Sequence, residues 1–335
     1  MKTFGTIARE DPMQASAQEK TKTAATVMPA AVARRRARVI HNPSSGGRVW
    51  DPGQLQEQLL GLDLDWVETR GPGDVTKAAE EWDDGLLIVA GGDGTVNEVV
   101  NGLGNNGFPE GVTLAVLPAG TGNDLAATLA VPEGPGEAEA VIRRGRVRAI
   151  DVARVRSGDL GERFFVNVTT GGLGAEISSA NDEESKSRWG KRSYLKASLA
   201  VFPDFEARDI TLDLDGEERT MRATNVAVGN CRYAGGGWLA APRANPEDGL
   251  LDVVIIEKFG LSEVLGLTPA ALAKSDYLDK EGVFFARARE IRVDTQPPGL
   301  DFTADGEVIG DEPANFTVVP RALKVIVGPE YTPEP

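Results

Sequence analysis

Leu86-Leu87-Ile88-Val89-Ala90-Gly91-Gly92-Asp93-Gly94-Thr95-Val96-Asn97-Glu98-Val99-Val100-Asn101-Gly102 reads as an apolar strand, a glycine turn and a helix in direct succession. An unbroken apolar run of this length suits a strand buried on both faces. The turn delivers the unpaired N–H groups of a helix start to whatever lies in front, where the helix dipole also favours an anion. Gly91, Gly92 and Gly94, without a Cβ, let the backbone approach such an anion closely. Asp93 inside the turn repels phosphate, so it points to a Mg²⁺ ion or a proton transfer at the same place. The stretch has the character of a nucleotide site with chemistry attached.

The flanking sequence alternates in the same way. A strand ends near Ile40 and enters the loop Asn42-Pro43-Ser44-Ser45-Gly46-Gly47. A helix over Gln54–Leu60, a short strand over Leu64–Glu68 and a helix over Asp74–Glu81 precede the strand Leu86–Ala90 and the helix Val96–Leu103. A strand over Thr113–Leu117 then runs into Pro118-Ala119-Gly120-Thr121-Gly122-Asn123-Asp124 and a further helix. Such alternation predicts a parallel sheet covered by helices on both faces, with ligands at the carboxyl ends of its strands. The loops at 42–47, 91–95 and 119–124 all fall on that edge and converge on one site.

From about Ala149 the texture changes. Runs at Arg148–Val155, Arg163–Thr169, Ile210–Leu214, Asn225–Gly229, Leu251–Ile256, Glu290–Val293 and Phe316–Val319 are separated by Gly, Pro and Asp. They predict an antiparallel β domain, a sandwich or partial barrel, with helices around Ser193–Val201 and Leu261–Leu265. The expected division is a disordered extension over 1–36, an α/β nucleotide-binding domain over 37–147 and a β-sandwich domain over 148–330, whose last strand is free to return to the first domain.

Composition narrows the chemistry. The chain has 335 residues, enough for two domains, with 41% hydrophobic and 26% charged residues as in globular proteins. No apolar stretch approaches the roughly 18 to 20 residues of a membrane-spanning helix, and the N-terminus lacks the apolar core of a signal peptide. A cytoplasmic protein is the expectation. Cys231 and His41 are the one cysteine and the one histidine, which removes disulfides, zinc sites and histidine-based triads. A general base is then a carboxylate, and a metal is held by oxygen. The net charge of -15 argues against a nucleic-acid partner and against broad electrostatic attachment to anionic membranes. The basic cluster Arg34-Arg35-Arg36-Ala37-Arg38 reads either as a contact for phosphate or lipid or, the favoured reading, as a solvated approach to the first strand.

Two further segments carry carboxylates on turns: Asn245-Pro246-Glu247-Asp248-Gly249-Leu250-Leu251-Asp252, and Asp305-Gly306-Glu307 between Leu300–Thr303 and Val308–Ile309. Alone, Asp248-Gly249 and Asp305-Gly306 are ordinary hairpin signals, and Asn123-Asp124 an ordinary helix cap. Their order and combination say more. With the loops at Asn42–Gly47, Gly91–Glu98 and Pro118–Asp124, and with Gly235-Gly236-Gly237, Pro242 and Ala244 ahead of Asp248–Val253, the chain resembles soluble lipid kinases with a diacylglycerol kinase catalytic domain. That family includes bacterial diacylglycerol kinases, phosphatidylglycerol kinases, sphingosine kinases and ceramide kinases. The resemblance covers residues 38 to 328.

What the resemblance implies is specific. The fold would be a phosphofructokinase- and NAD kinase-like α/β nucleotide-binding domain plus a second β-rich sandwich domain, with the active site in the cleft between them. ATP would lie along Asn42, Pro43, Ser44, Ser45, Gly46, Gly92, Asp93, Gly94, Thr95, Asn97, Glu98 and Thr121, with Thr69 near the adenosine. Glu307 would take the proton from a lipid hydroxyl, with Asp305 and Asp93 as further catalytic residues. Asp93, Asp124 and Asp151 would form a hydrated acidic network reaching Mg²⁺, and a structural Mg²⁺ would sit on Asp248 with main-chain oxygens of Asn245 and Leu250. A glutamate suits this chemistry, since phosphoryl transfer asks mainly for alignment and charge neutralisation and a like-charged neighbour strengthens a carboxylate as a base.

The lipid would be reached from the membrane surface. Lys186–Lys196, basic and carrying Trp189 and Tyr194, reads either as an interfacial helix or as a helix packed on the β domain with a solvated basic face. Related bacterial enzymes are often homodimers. An NAD kinase, which shares the Gly-Gly-Asp-Gly-Thr loop, and a catalytically silent nucleotide- or lipid-binding protein are the alternatives; a 6-phosphofructokinase is more distant.

Overall fold

The run Leu86–Ala90 lies within β3 (Asp84–Gly91), buried from its second residue onward, in the computed structural model. The structure describes residues 35–45, 50–158, 161–172, 207–257, 275–296, 300–305, 307–310 and 313–335, with the side chains of Ser275, Asp276, Glu307 and Val308 excepted. Around β3 stand β1 (Arg35–His41), β2 (Leu62–Glu68) and β4 (Gly111–Pro118), all parallel and in the order β2-β1-β3-β4. The helices α1 (Pro52–Gln58), α2 (Asp74–Glu80), α3 (Asp93–Asn105), α4 (Asp124–Thr128) and α5 (Pro135–Arg144) connect and follow them. The strand order reverses at β1, so the loops leaving β1 and β3 part there and open a crevice at the carboxyl edge.

The second lobe is all β. Its strands are β5 (Val147–Ser157), β6 (Glu162–Phe165), β7 (Val168–Gly172), β8 (Arg208–Leu214), β9 (Glu217–Ala223), β10 (Asn225–Gly229), β11 (Tyr233–Ala234), β12 (Trp238–Leu239), β13 (Leu251–Ile256), β14 (Val283–Ala288), β15 (Glu290–Gln296), β16 (Phe302–Ala304), β17 (Glu307–Gly310) and β18 (Ala314–Ile326). The sheet β14-β13-β10-β7-β16-β17 packs its inner face on β5, β8, β15 and β18 through Phe165, Val228, Val253, Phe302 and Phe316, all buried. Sheets joined by such apolar inner faces form a sandwich.

One strand belongs to both lobes. β18 runs antiparallel to β5 from Ala314 opposite Ser157 to Ile326 opposite Val147, while its Val325 lies beside Leu114 of β4 in parallel. A bulge between Val319 and Leu323, with Arg321 at φ 53°, lets it turn from the sandwich into the parallel sheet. The parallel sheet and half of the sandwich are therefore one continuous sheet.

Several boundaries differ from the sequence reading. The run Arg163–Thr169 breaks into β6 and β7, because the N–H groups of Val166 and Asn167 turn to the Asp305 carboxylate instead of a strand partner. α3 starts at Asp93, within the glycine turn itself. β1 starts at Arg35, so the expected extension gives up its last two residues to the sheet. α5, β9 and β14 were not read from the sequence at all. The arginine cluster is engaged locally: Arg36 and Arg38 lie 4.7 and 4.8 Å from the Trp82 ring centroid, and Arg38 pairs with Asp65 at 2.7 Å. Expectations for 1–34, Gly46, Gly47, the Lys186–Lys196 segment and helices near 193–201 and 261–265 lie outside the described residues. No helix among the described residues is long and apolar enough to cross a membrane.

Candidate active site

The three loops at the carboxyl edge are tied to one another by side chains. Asn42 at the end of β1 donates from Nδ2 to Thr95 Oγ1 of α3 at 3.1 Å, and its Oδ1 accepts the Ser44 N–H at 3.0 Å. Ser45 Oγ closes the turn on Asn42 O at 2.7 Å, leaving Pro43 and Ser44 exposed on the edge. Thr69, at the end of β2, is buried and donates its N–H to His41 O at 3.0 Å, so its place is fixed beside the same loop.

The second and third loops touch backbone to backbone. A Cβ on Gly120 would lie 2.5 Å from the Gly92 Cα, so only glycine permits the approach. Asp93 locks the pair: its Oδ2 accepts the N–H of Asn123 and its Oδ1 the N–H of Asp124, both at 2.7 Å. Asn123, in the left-handed region at φ 60°, braces the turn through Oδ1 to Gly120 N and Nδ2 to Gly120 O, at 3.0 and 2.9 Å. Thr121 is exposed between these braces. Gly92, Gly94 and Glu98 are partly exposed around the same helix start, while Thr95 and Asn97 are buried against the neighbouring loops.

The second lobe reaches into this edge twice. The hairpin β11–β12 presents the Gly236 and Gly237 N–H groups to the Asp124 carboxylate at 3.0 and 2.8 Å. The turn between β16 and β17 presents Asp305, at φ 48°, whose Oδ2 accepts Asn97 Nδ2 and the Val166 N–H at 3.1 Å each. Its Oδ1 accepts the Asn167 N–H, also at 3.1 Å. Asp305 is thus a clamp between α3 and the second lobe. Glu307 follows as the first residue of β17, opposite Ala304. Gly306 and the Glu307 side chain lie outside the described residues.

Two of the carboxylates gathered here, Asp93 and Asp305, resist ionisation. Burial, then the charge of Asp124, pushes Asp93 up to about 7 despite its two amide bonds. Burial likewise pushes Asp305 up to about 6, against the Val166, Asn97 and Asn167 donors. A divalent cation nearby would reverse that tendency. The donors on hand are oxygens, which suits a hard ion such as Mg²⁺.

Asp151, like Asp93 and Asp124, bonds directly to backbone N–H groups. Buried in β5, it accepts the N–H groups of Gly249 and Arg321, both at 2.7 Å, and its own N–H donates to Pro246 O at 2.6 Å. After burial and these amide bonds, the charges it feels are those of Asp248 and Glu247. Its bonds to Gly249 and Pro246 tie the Asn245–Leu250 turn to β5. Within that turn Asn245 Oδ1 accepts the Glu247 N–H at 2.9 Å and Asp248 Oδ1 the Leu250 N–H at 3.0 Å. Arg287 reaches both Asp248, at 3.7 Å, and the buried Asp252, at 3.2 Å. Asp252 Oδ2 is buried without a hydrogen bond, an orphaned acceptor beside a turn of oxygen donors, which fits the structural Mg²⁺ expected at Asp248. Sequence reasoning assigned no role to the Gly236 and Gly237 amides, to Asn167 or to Arg287, since each acts through a partner remote in sequence.

An α/β lobe with glycine turns for a nucleotide, joined to a β-sandwich that brings carboxylates to the same edge, defines a two-lobed phosphotransferase. The model of the Diacylglycerol kinase catalytic domain matches residues 36–155, and that of the YegS C-terminal NAD kinase beta sandwich-like domain matches residues 167–327. The chain belongs to the diacylglycerol kinase catalytic-domain family and is a lipid kinase by class. It is 31% identical over 302 residues to the diacylglycerol kinase of Staphylococcus aureus (strain JH9), covering 87% of this chain and 92% of that one. With the diacylglycerol kinase of Bacillus subtilis (strain 168) it shares 28% identity over 304 residues, covering 88% and 97% of the two chains. The crystal structure of a diacylglycerol kinase from Bacillus anthracis str. Sterne superposes with a TM-score of 0.66 at 25% identity, over 89% of this chain and 98% of that one.

Proposed function

We propose that this chain transfers the γ-phosphoryl group of ATP to the hydroxyl of diacylglycerol or a related glycerolipid, with Glu307 as general base. The observation that carries this reading is the bond from Asn97 to Asp305, which joins the nucleotide-loop helix to the turn from which Glu307 emerges. The curated relatives described above are diacylglycerol kinases, which favours a lipid acceptor over NAD.

Each residue then has a part. The α3 start and the loops at Asn42 and Thr121 line the ATP phosphates, with Thr69 beside the nucleoside. Asp93 and Asp124 would hold Mg²⁺, which supplies neutralisation of phosphate charge when bound. Asp248, with main-chain oxygens of Asn245 and Leu250, would hold a second, structural ion. Asp305 fixes the turn, so that Glu307 meets the acceptor hydroxyl and removes its proton as the phosphoryl group departs from ATP. The acceptor comes from a bilayer, so the enzyme works in peripheral contact with a membrane surface.

The test is ATP turnover with Mg²⁺, comparing diacylglycerol in mixed micelles with NAD in buffer. ADP release that depends on the lipid is the expected result. Turnover with NAD alone would make the chain an NAD kinase, and silence with both would favour a binding protein.

A further inference from the structure

Residues Gly328–Pro333 follow the last strand and lie across three segments that carry the site. The Gly328 N–H donates to Leu129 O, at the C-terminal end of α4, at 2.8 Å. Arg146 holds the carbonyls of Gly328 and Pro329 at 3.4 and 3.3 Å. Tyr331 is 3% exposed, packs into the core of the first lobe, and donates its hydroxyl to Glu247 Oε1 at 2.9 Å. Arg232 donates from Nη2 to Thr332 O and Pro333 O at 3.3 and 2.7 Å, and from Nε to Ala244 O at 3.2 Å.

Three of the anchors, Leu129, Arg232 and Glu247, are one step from a site group. α4 begins with Asp124 at its other end. Arg232 stands at the base of the β11–β12 hairpin, closed by the Ala241 N–H on Arg232 O at 3.1 Å, and the tip of that hairpin holds Asp124. Glu247 lies in the Asn245–Leu250 turn and is ion-paired with Arg148 of β5. Helix, hairpin and tail form a closed ring: Asp124 to Gly237, Arg232 to Pro333, and Gly328 to Leu129. The Gly328–Pro333 segment is tied by guanidinium donors and a buried phenol.

We propose that Tyr331 and Arg232 are positioning residues for phosphoryl transfer, holding the C-terminal segment as a strap that sets the Gly235–Gly237 tip against Asp124 and steadies the Asp248 turn. The kinetic consequence rests on the lipid kinase reading; the geometric one does not.

Two variants test it in the full chain. Tyr331→Phe keeps the ring in the core and removes the hydroxyl, and Arg232→Gln removes the guanidinium fork. In hydrogen-exchange mass spectrometry, amides over 232–250 should exchange roughly three- to tenfold faster in either variant, as loss of one net hydrogen bond allows, while Asp93–Asn105 stays unchanged. With Mg-ATP and diacylglycerol micelles, kcat should fall about threefold or more, with the KM for ATP within about twofold. Tyr331→Phe added to Glu247→Gln should cost no more than Glu247→Gln alone, because the hydroxyl acts through Glu247. Unchanged exchange over 232–250, or faster exchange spread evenly through the chain, would overturn the strap. If the unmodified chain turns over no lipid, the kinase reading fails, and the exchange data still decide the strap.

Discussion

Asn97 Nδ2 lies 3.1 Å from Asp305 Oδ2, a bond between the nucleotide-loop helix and a turn 208 residues further along the chain. Asp305 accepts two amides of the second lobe as well, so one carboxylate sets the distance between the loops for the donor and the turn for the acceptor. Alignment between two substrates is the main demand of phosphoryl transfer, and in the proposed reaction it would run through this side chain.

Asp305→Asn should therefore uncouple the lobes. The new amide NH₂ faces N–H donors, leaving at least one of them unsatisfied and costing about 2 kcal/mol of stability. Denaturant unfolding should register that loss, together with a fall in turnover of about tenfold or more from the misplaced turn. A variant as stable and as active as the unmodified chain would remove Asp305 from this role.

Gly120→Ala tests the contact between the nucleotide loops. Its Cβ would stand 2.5 Å from the Gly92 Cα, a backbone atom that cannot yield without shifting the loop. A displacement near 1 Å at a reacting centre costs roughly 100-fold, so kcat/KM for ATP should fall by that order while the far-ultraviolet circular dichroism is retained. A loss of less than about threefold would mean that the loops separate freely.

The contribution of Asp252 to stability should fall as pH rises from about 4 to about 7. Burial pushes its carboxyl up to about 7 in the fold, more than Arg287 draws it down. The folded state then binds the proton more tightly than the unfolded chain, so the contribution is full below the unfolded value and lost as pH passes the folded one. Asp93 and Asp305, pushed up to about 7 and about 6, act in the same direction. Guanidinium unfolding in the presence of a chelator, repeated across that range, should show Asp252→Asn flattening the slope by up to about one proton. An unchanged slope would contradict the assignment.

Much of this architecture could be read from residues alone. Asn225–Gly229 and Leu251–Ile256 form strands with the very boundaries their apolar runs suggest, because both are central strands buried on two faces. β9, Glu-Glu-Arg-Thr-Met-Arg-Ala, was invisible for the opposite reason: it is an edge strand whose charges face solvent, so no apolar pattern marks it. The glycine loops declared the nucleotide edge through local turn chemistry. The direct partners of Asp151, the amides of Gly249 and Arg321, could not be named from sequence, because they come from elements 98 and 170 residues away. Local sequence signals a turn or a strand; which carboxylate meets which amide is decided by the packing of the two lobes.

The measurement that bears most directly on the central claim is transfer of labelled phosphate from γ-labelled ATP to diacylglycerol in mixed micelles, with Mg²⁺, by the unmodified chain and by Glu307→Gln. Labelled lipid should form with the unmodified chain and at a rate at least about 100-fold lower in the variant, the low end for loss of a general base. Equal rates in the two would contradict the assignment of Glu307, and no labelled lipid from either would contradict the kinase reading itself.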